Sequence, residues 1–177
     1  PEKTVRALVV AGGIGSIIAL SASISGAAGG CQNEIGVASS MGAAGVAYMM
    51  GGTTKQSIHA AAMALKNTLG LVCDPVGGLV EVPCVKRNAL FAVHGLTAAQ
   101  LAMAGVESVI PMDEIVEAMV RIGRALPRGL RETAEGGLAT TLTGSAIAQR
   151  IKDEANQRRA EKARERGRAA QERKGGG

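Results

Sequence analysis

Apolar residues recur along this chain at helical spacing, in runs broken by short glycine- and proline-marked segments, and strand-like alternation is not recognisable. From Val5 to Leu20 the chain is apolar nearly all round, which predicts a buried central helix. Ile35 through Met50 is a second small-residue run, ended by Gly51-Gly52. In the third, Thr53 and Thr54 offer an N-cap, Ile58, Ala61, Ala62, Leu65 and Leu69 follow at helical spacing, and Gly70 stops the run. Leu71 through Lys86 carries Asp74-Pro75, Gly77-Gly78 and Pro83, which forbid a long helix. Asn88 is positioned to cap a fourth helix running to Gly105, and Asp113-Glu114 open a fifth that ends at Leu126, with Ile115, Met119, Ile122 and Leu126 on one apolar face.

A polar turn, Arg131 through Leu138, precedes a short apolar stretch to Ile151. Almost nothing apolar follows, so Lys152 onward has no means of burying itself and is expected to be a solvated helix or a disordered extension, frayed at Gly175-Gly176-Gly177. The expected architecture is all-α: a compact bundle of small-residue helices with glycine-rich loops, one domain over residues 1–151, and a basic tail over 152–177.

Composition sharpens this picture. Only Phe91 and Tyr48 are aromatic among 46% apolar residues, so Ala, Val, Leu, Ile and Met must fill the core, and small side chains suit closely packed helices. The net charge of +5 suggests a nucleic-acid partner until it is located: residues 1–149 hold ten basic and ten acidic side chains, and the whole excess lies beyond them. A neutral body without stacking aromatics excludes nucleic-acid binding. No charge falls between Arg6 and Glu34, but Ala11-Gly12-Gly13 and the Gly- and Ser-rich Ser21–Gly30 stretch interrupt the apolar run, which favours a core helix and a polar loop over a membrane span. Three cysteines, an odd number, fit a reducing cytoplasm.

Those cysteines carry the candidate chemistry. Cys31 follows Gly29-Gly30, Cys73 precedes Asp74-Pro75, and Cys84 follows Val82-Pro83. A packing cysteine usually sits mid-helix, whereas a ligand needs backbone that can turn its sulfur toward a shared point. Ligation is favoured, although neither close pair has the C-x-x-C spacing of zinc ribbons or ferredoxin-like clusters. A structural zinc module closed by His59 or His94 stays open on these grounds; each histidine is otherwise a structural side chain. Gln32, Glu34 and Asp74 lie beside the cysteines, where a carboxamide or carboxylate orients a substrate ammonium, tunes a metal centre, or merely caps a loop. Asn88 is a helix cap or a group behind the ligands.

Three blocks resemble a known family. Ser23-Ile24-Ser25-Gly26-Ala27 leading to Gly30-Cys31-Gln32-Asn33-Glu34, then Leu69 through Cys84 with Arg87-Asn88-Ala89, then Leu130-Arg131-Glu132-Thr133 with Gly136-Gly137-Leu138-Ala139, are similar to the alpha chain of iron–sulfur-dependent L-serine dehydratase. The likeness covers about Ser21 to Ser145, and the second block is long and specific. It implies that Cys31, Cys73 and Cys84 hold a 4Fe-4S cluster with one iron not ligated by cysteine, in glycine-rich cluster-binding loops. That iron would act as a Lewis acid on the hydroxyl of L-serine while a base removes the α proton, giving an aminoacrylate, then an imine, then pyruvate and ammonia. Threonine and cysteine lyases share this chemistry. The resemblance also implies an oligomer, a beta chain with a Ser-Ser-Ser-His motif, and an upstream Thr-Asn-Gly-Ala-Ala-Gly-type segment; the catalytic base is expected there and is unknown in this chain. Two positions depart from the pattern: Ser39, where relatives often carry cysteine, and Lys86, where an acidic residue is common.

Overall fold

A computed structural model describes the backbone of residues 1–175 and side chains through residue 166, so Gly176 and Gly177 of the expected frayed end lie outside the described residues. The fold is all-α, with no strand among the described residues. In chain order the helices are α1 (Glu2–Ser21), α2 (Gly26–Gly29), α3 (Val37–Met49), α4 (Thr54–Lys66), α5 (Cys84–Met103), α6 (Met112–Ala125) and α7 (Leu142–Gly175). A π turn, Gln32–Gly36, leads from α2 into α3, and single 3-10 turns lie at Val76–Gly78, Arg128–Leu130 and Gly137–Thr140.

The central helix is α3, not α1. It packs against α1, α4 and α5, with Val37, Ala43, Ala44 and Ala47 buried. The second apolar run thus takes the place expected of the first, because α1 has a neighbour on one side only. Its Ala7, Gly15 and Ile18 face inward while Leu8 and Leu20 are 68% and 89% exposed. Length and composition alone would let α1 cross a membrane. The apolar sequence was right about helix and wrong about burial, since hydrophobicity all round says nothing of how many partners a helix finds.

Small residues set the spacing of the bundle. Ala43, Ala47, Ala60, Ala64, Ala98, Ala99 and Ala102 form one buried cluster with Met63. Where α5 crosses α3, a Cβ on Gly95 would come 2.9 Å from the Ser39 carbonyl, so only glycine permits that approach. A second layer joins Ile18, Val37, Leu65, Ile115, Val116 and Met119 beneath α6.

Several helix ends depart from the sequence expectation. α4 has its cap, with the Gln56 N–H donating to Thr53 Oγ1 at 3.2 Å and Gln56 returning a bond to the Thr53 N–H. It ends at Lys66, so Leu69 belongs to the turn beyond. α5 starts at Cys84, directly after Pro83, one turn before Asn88; Asn88 is therefore no cap and sits exposed in the second turn. Proline is tolerated at a helix start, where its missing N–H has no partner to lose. The apolar stretch before Ile151 and the charged tail after it are one helix, α7, whose residues 152–166 are exposed.

Candidate functional site

Cys31, Cys73 and Cys84 lie near one another on a wall built mostly from loops: Cys31 packs against Cys73, and Cys84 is close enough to be felt at both thiols. All three are buried and free of disulfides. Cys31 ends the turn after α2; Cys73 lies in the extended stretch before Asp74-Pro75; Cys84 is the first residue of α5. Cys31 and Cys73 pack together with Ile35, Leu71 and Phe91.

Electrostatics report the same convergence. Burial pushes the Cys31 thiol up, partly offset by Cys73 and the Arg87 guanidinium. Burial also raises Cys73, and the neighbouring Cys31, Glu132 and Cys84 raise it further. Cys84 is raised by burial and by Cys31, with Arg87 opposing. The thiols thus feel one another, and at Cys31 and Cys84 burial outweighs the Arg87 charge that favours thiolate.

Polar braces hold this wall. Arg87 Nη1 donates to the Val72 carbonyl at 2.9 Å and pairs with Asp74 Oδ1 at 2.8 Å. Asp74 Oδ2 accepts the Leu138 N–H at 2.8 Å. Gly137 makes that approach possible: its φ is +61°, and a Cβ there would lie 2.5 Å from the same carboxylate oxygen. Gln32, fully buried, donates from Nε2 to the Met119 carbonyl at 2.9 Å and accepts the Gly70 N–H at 2.9 Å. Asp74 Oδ2 and both ends of the Gln32 carboxamide are hydrogen-bonded in joining segments, while the buried Asp74 Oδ1 makes no hydrogen bond and has only its ion pair with Arg87.

Glu34 is different. Its carboxylate, that of Glu132 and the Cys73 sulfur lie within 4.8 Å of one another, the one such three-donor group found among the described residues. Two backbone bonds bring Glu132 there, Cys73 N–H to Leu130 O at 2.9 Å and Glu132 N–H to Cys73 O at 2.8 Å. Glu132 holds φ at +65°, uncommon for a residue with a side chain. Gly26 forms the wall between them; a Cβ on it would sit 2.9 Å from Glu34 Oε2 and 3.2 Å from Cys73 Sγ.

Sequence reasoning named Cys31, Cys73, Cys84 and Glu34 but passed over Arg87 and Glu132, although both stand in the quoted blocks. The available signal was the Arg-Glu-Thr triplet of an otherwise glycine-rich loop. The histidines lie elsewhere: His94 Nε2 is 3.0 Å from the Ala64 carbonyl, and His59 Nδ1 accepts the Ser108 N–H at 3.2 Å. One tetrahedral zinc ion bound by sulfur at about 2.3 Å needs donors about 3.8 Å apart. Neither histidine joins a three-donor group among the described residues.

An α-helical body with a three-donor group of Glu34, Cys73 and Glu132 beside two further buried free thiols is of the class with a possible metal site. The particular family follows from comparison: the chain belongs to the serine dehydratase alpha chain family, whose model matches residues 2–139. It is 56% identical over 150 residues to a probable L-serine dehydratase alpha chain of Bacillus subtilis (strain 168), covering 85% of this chain and 50% of that one. A probable L-serine dehydratase alpha chain of Latilactobacillus sakei is 55% identical over 150 residues, covering 85% of this chain and 72% of that one. An L-serine dehydratase of Haemophilus influenzae (strain ATCC 51907 / DSM 11121 / KW20 / Rd) is 45% identical over 143 residues, 80% of this chain and 31% of that one. The chain spans about half the length of the Bacillus relative.

Proposed function

We propose that this chain is the cluster-holding part of an L-serine dehydratase, a lyase that releases pyruvate and ammonia from L-serine. The observation that supports the reading is that three buried, unpaired thiols at positions 31, 73 and 84 lie near one another in a member of this family. Cys31, Cys73 and Cys84 would hold a 4Fe-4S cluster. The donor set fits such a group: all soft sulfur, no disulfide, and a glycine wall at Gly26 where a side chain would intrude. When bound, the cluster supplies an iron without a cysteine, Lewis-acidic toward a β-hydroxyl.

This chain's own residues do the positioning. Arg87 and Asp74 tie the Cys73 segment to α5 and to the Gly137 turn, so the two sulfurs that flank the loop, Cys73 and Cys84, are fixed relative to each other. Gln32 fixes Cys31 from the other side by bridging Met119 and Gly70. The buried wall excludes water from the sulfurs while Glu34 and Glu132 stay exposed at its edge. Proton removal is assigned to a beta chain carrying the Ser-Ser-Ser-His motif, since His59 and His94 are bonded elsewhere. A reducing cytoplasm and an oligomeric assembly complete the proposal.

The test is anaerobic purification of the chain with its partner. Bound iron and sulfide, a brown colour absorbing near 400 nm, and pyruvate release from L-serine that fades in air and returns with ferrous iron and thiol are expected. A colourless protein holding zinc would end the reading.

A further inference from the structure

We propose that Arg87 is a positioning residue for the metal centre, a fixed and mostly buried cation that balances the negative charge of the three cysteine sulfurs; the assignment rests on the cluster reading of this same wall. Arg87 stands one turn after Cys84 on α5, its backbone N–H donating to the Pro83 carbonyl at 3.1 Å. From there Nη1 donates to the Val72 carbonyl at 2.9 Å and pairs with Asp74 Oδ1 at 2.8 Å, so one guanidinium grips the residue before Cys73 and the residue after it. The same group stands against the Cys31 sulfur. A single side chain thus joins the segments that carry all three sulfurs. It is 17% exposed, whereas its neighbour Lys86 lies in water.

Holding two segments together takes only hydrogen-bond donors, which an amide would supply. What the guanidinium adds is a charge that no ordinary pH removes. Three thiolates outweigh a doubly positive iron–sulfur core, and a net negative centre on a wall that excludes water is costly without a counter-charge. Asp74 does not cancel the effect. At Cys84 the attraction of Arg87 exceeds the repulsion from Asp74, so the ion pair presents its positive side to the sulfurs. Asp74, 3% exposed and with Oδ2 accepting the Leu138 N–H, fixes where the cation stands. The low dielectric of a buried wall strengthens the attraction. A fixed cation beside cysteine sulfurs makes an electron easier to accept and harder to lose, so Arg87 sets the potential of the centre and its resistance to oxygen.

The test uses the cluster-loaded, oxygen-free chain with its partner, carrying Arg87→Gln, Arg87→Lys or Asp74→Asn. It reads iron retained against a chelator, the rate of bleaching in air, and the reduction potential by spectroelectrochemistry. Arg87→Gln should weaken iron retention by about ten- to a hundredfold, bleach faster in air and move the potential to more negative values. Arg87→Lys keeps the charge and loses the fork, and its potential should stay nearer the parent. Asp74→Asn removes the counter-charge and leaves the cation, so its potential should move the other way; a merely distorted wall would move both alike. Equal shifts in Arg87→Gln and Arg87→Lys, shifts of the same sign in Arg87→Gln and Asp74→Asn, or no shift at all overturn the assignment. Should Arg87→Gln hold no cluster, Arg87→Ala is loaded in the presence of guanidinium or of urea, planar donors of similar shape with and without charge. Rescue by guanidinium alone is expected, and equal rescue by both, or by neither, overturns the proposal. A parent protein that purifies without iron and sulfide defeats the cluster reading itself, a result separable from a loaded parent whose variants share its potential.

Discussion

The alanine-packed bundle and the cysteine wall are held together by different physics. Between α3, α4 and α5 the contacts are methyl groups and backbone, with Ala43, Ala47, Ala60, Ala64, Ala98 and Ala99 buried and nearly interchangeable. Stability there comes from many small dispersion contacts and from removal of apolar surface from water. The wall has little apolar mass and depends on single polar bonds: Arg87 to Asp74, Asp74 to Leu138, Gln32 to Met119 and Gly70. A bundle of this kind tolerates loss by degrees, whereas a wall of this kind loses a sulfur's position when one brace goes. The two regions should therefore fail separately.

The largest effect is expected from the sulfurs themselves. Cys31→Ser, Cys73→Ser and Cys84→Ser should each lose most bound iron and about a hundredfold or more of activity, because two remaining thiolates do not retain the cluster. Helical content should stay near that of the parent by circular dichroism, since the bundle core lies apart. Full iron in any one variant removes that residue from the ligand set.

Next come single braces set against single packing contacts. Asp74→Ala strands the mostly buried guanidinium of Arg87 and frees the Gly137–Leu138 turn, at a cost of about 3 kcal/mol. Iron content should fall sharply with little loss of helix. Gly95→Ala pushes a methyl against the Ser39 carbonyl and should cost roughly 1–3 kcal/mol by denaturant unfolding, with iron per folded chain unchanged. Parallel losses of iron and stability in both variants would erase the distinction between the regions.

The sequence is legible where local signals and burial agree. Thr53 with Gln56 announces α4, and the Ile115–Met119 spacing announces the inward face of α6; both residues of that pair are buried as the pattern requires. It is illegible where partners decide. α1 and α3 are both apolar all round, and only the count of neighbouring helices separates the central from the peripheral one. The extra turn of α5 before Asn88 was hidden because Pro83 reads as a breaker yet serves as a helix start. At the site the thiols were visible one by one, and the resemblance supplied their common purpose. Glu132 was not, because two backbone bonds to Cys73, from far along the chain, create its place.

A smaller effect separates the regions by pH. The folded, cluster-free chain keeps its thiols protonated to higher pH than the unfolded chain does, since burial raises all three. Above the ordinary thiol range of about pH 8.5 the folded form binds more protons than the unfolded form. Stability is therefore fully present below that range and declines as pH rises through it. Urea midpoints of the cluster-free protein should fall above about pH 8.5, and Cys73→Ser should flatten the slope. An unchanged slope in that variant would mean that Cys73 is already as exposed folded as unfolded.

The smallest effect belongs to α7, and it locates the end of the wall. Ile151 Cδ1 lies 3.0 Å from where a Cβ on Gly77 would be, and Ala148 is close behind, so the first turns of α7 press on the loop that joins Cys73 to Cys84. Glu81, Arg150, Glu154 and Arg158 line the groove of about 600 Å³ that remains beside this contact. From Lys152 through Arg166 every described side chain is exposed. Truncation after Arg158 should leave both iron content and thermal midpoint unchanged, because the described side chains it removes, residues 159–166, are all exposed. Ile151→Asp should lower iron content while sparing the bundle, since it places a charge against Gly77 and loosens that loop. If truncation after Arg158 lowers iron as much as Ile151→Asp does, the charged half of α7 braces the wall, and the folded unit extends past residue 151.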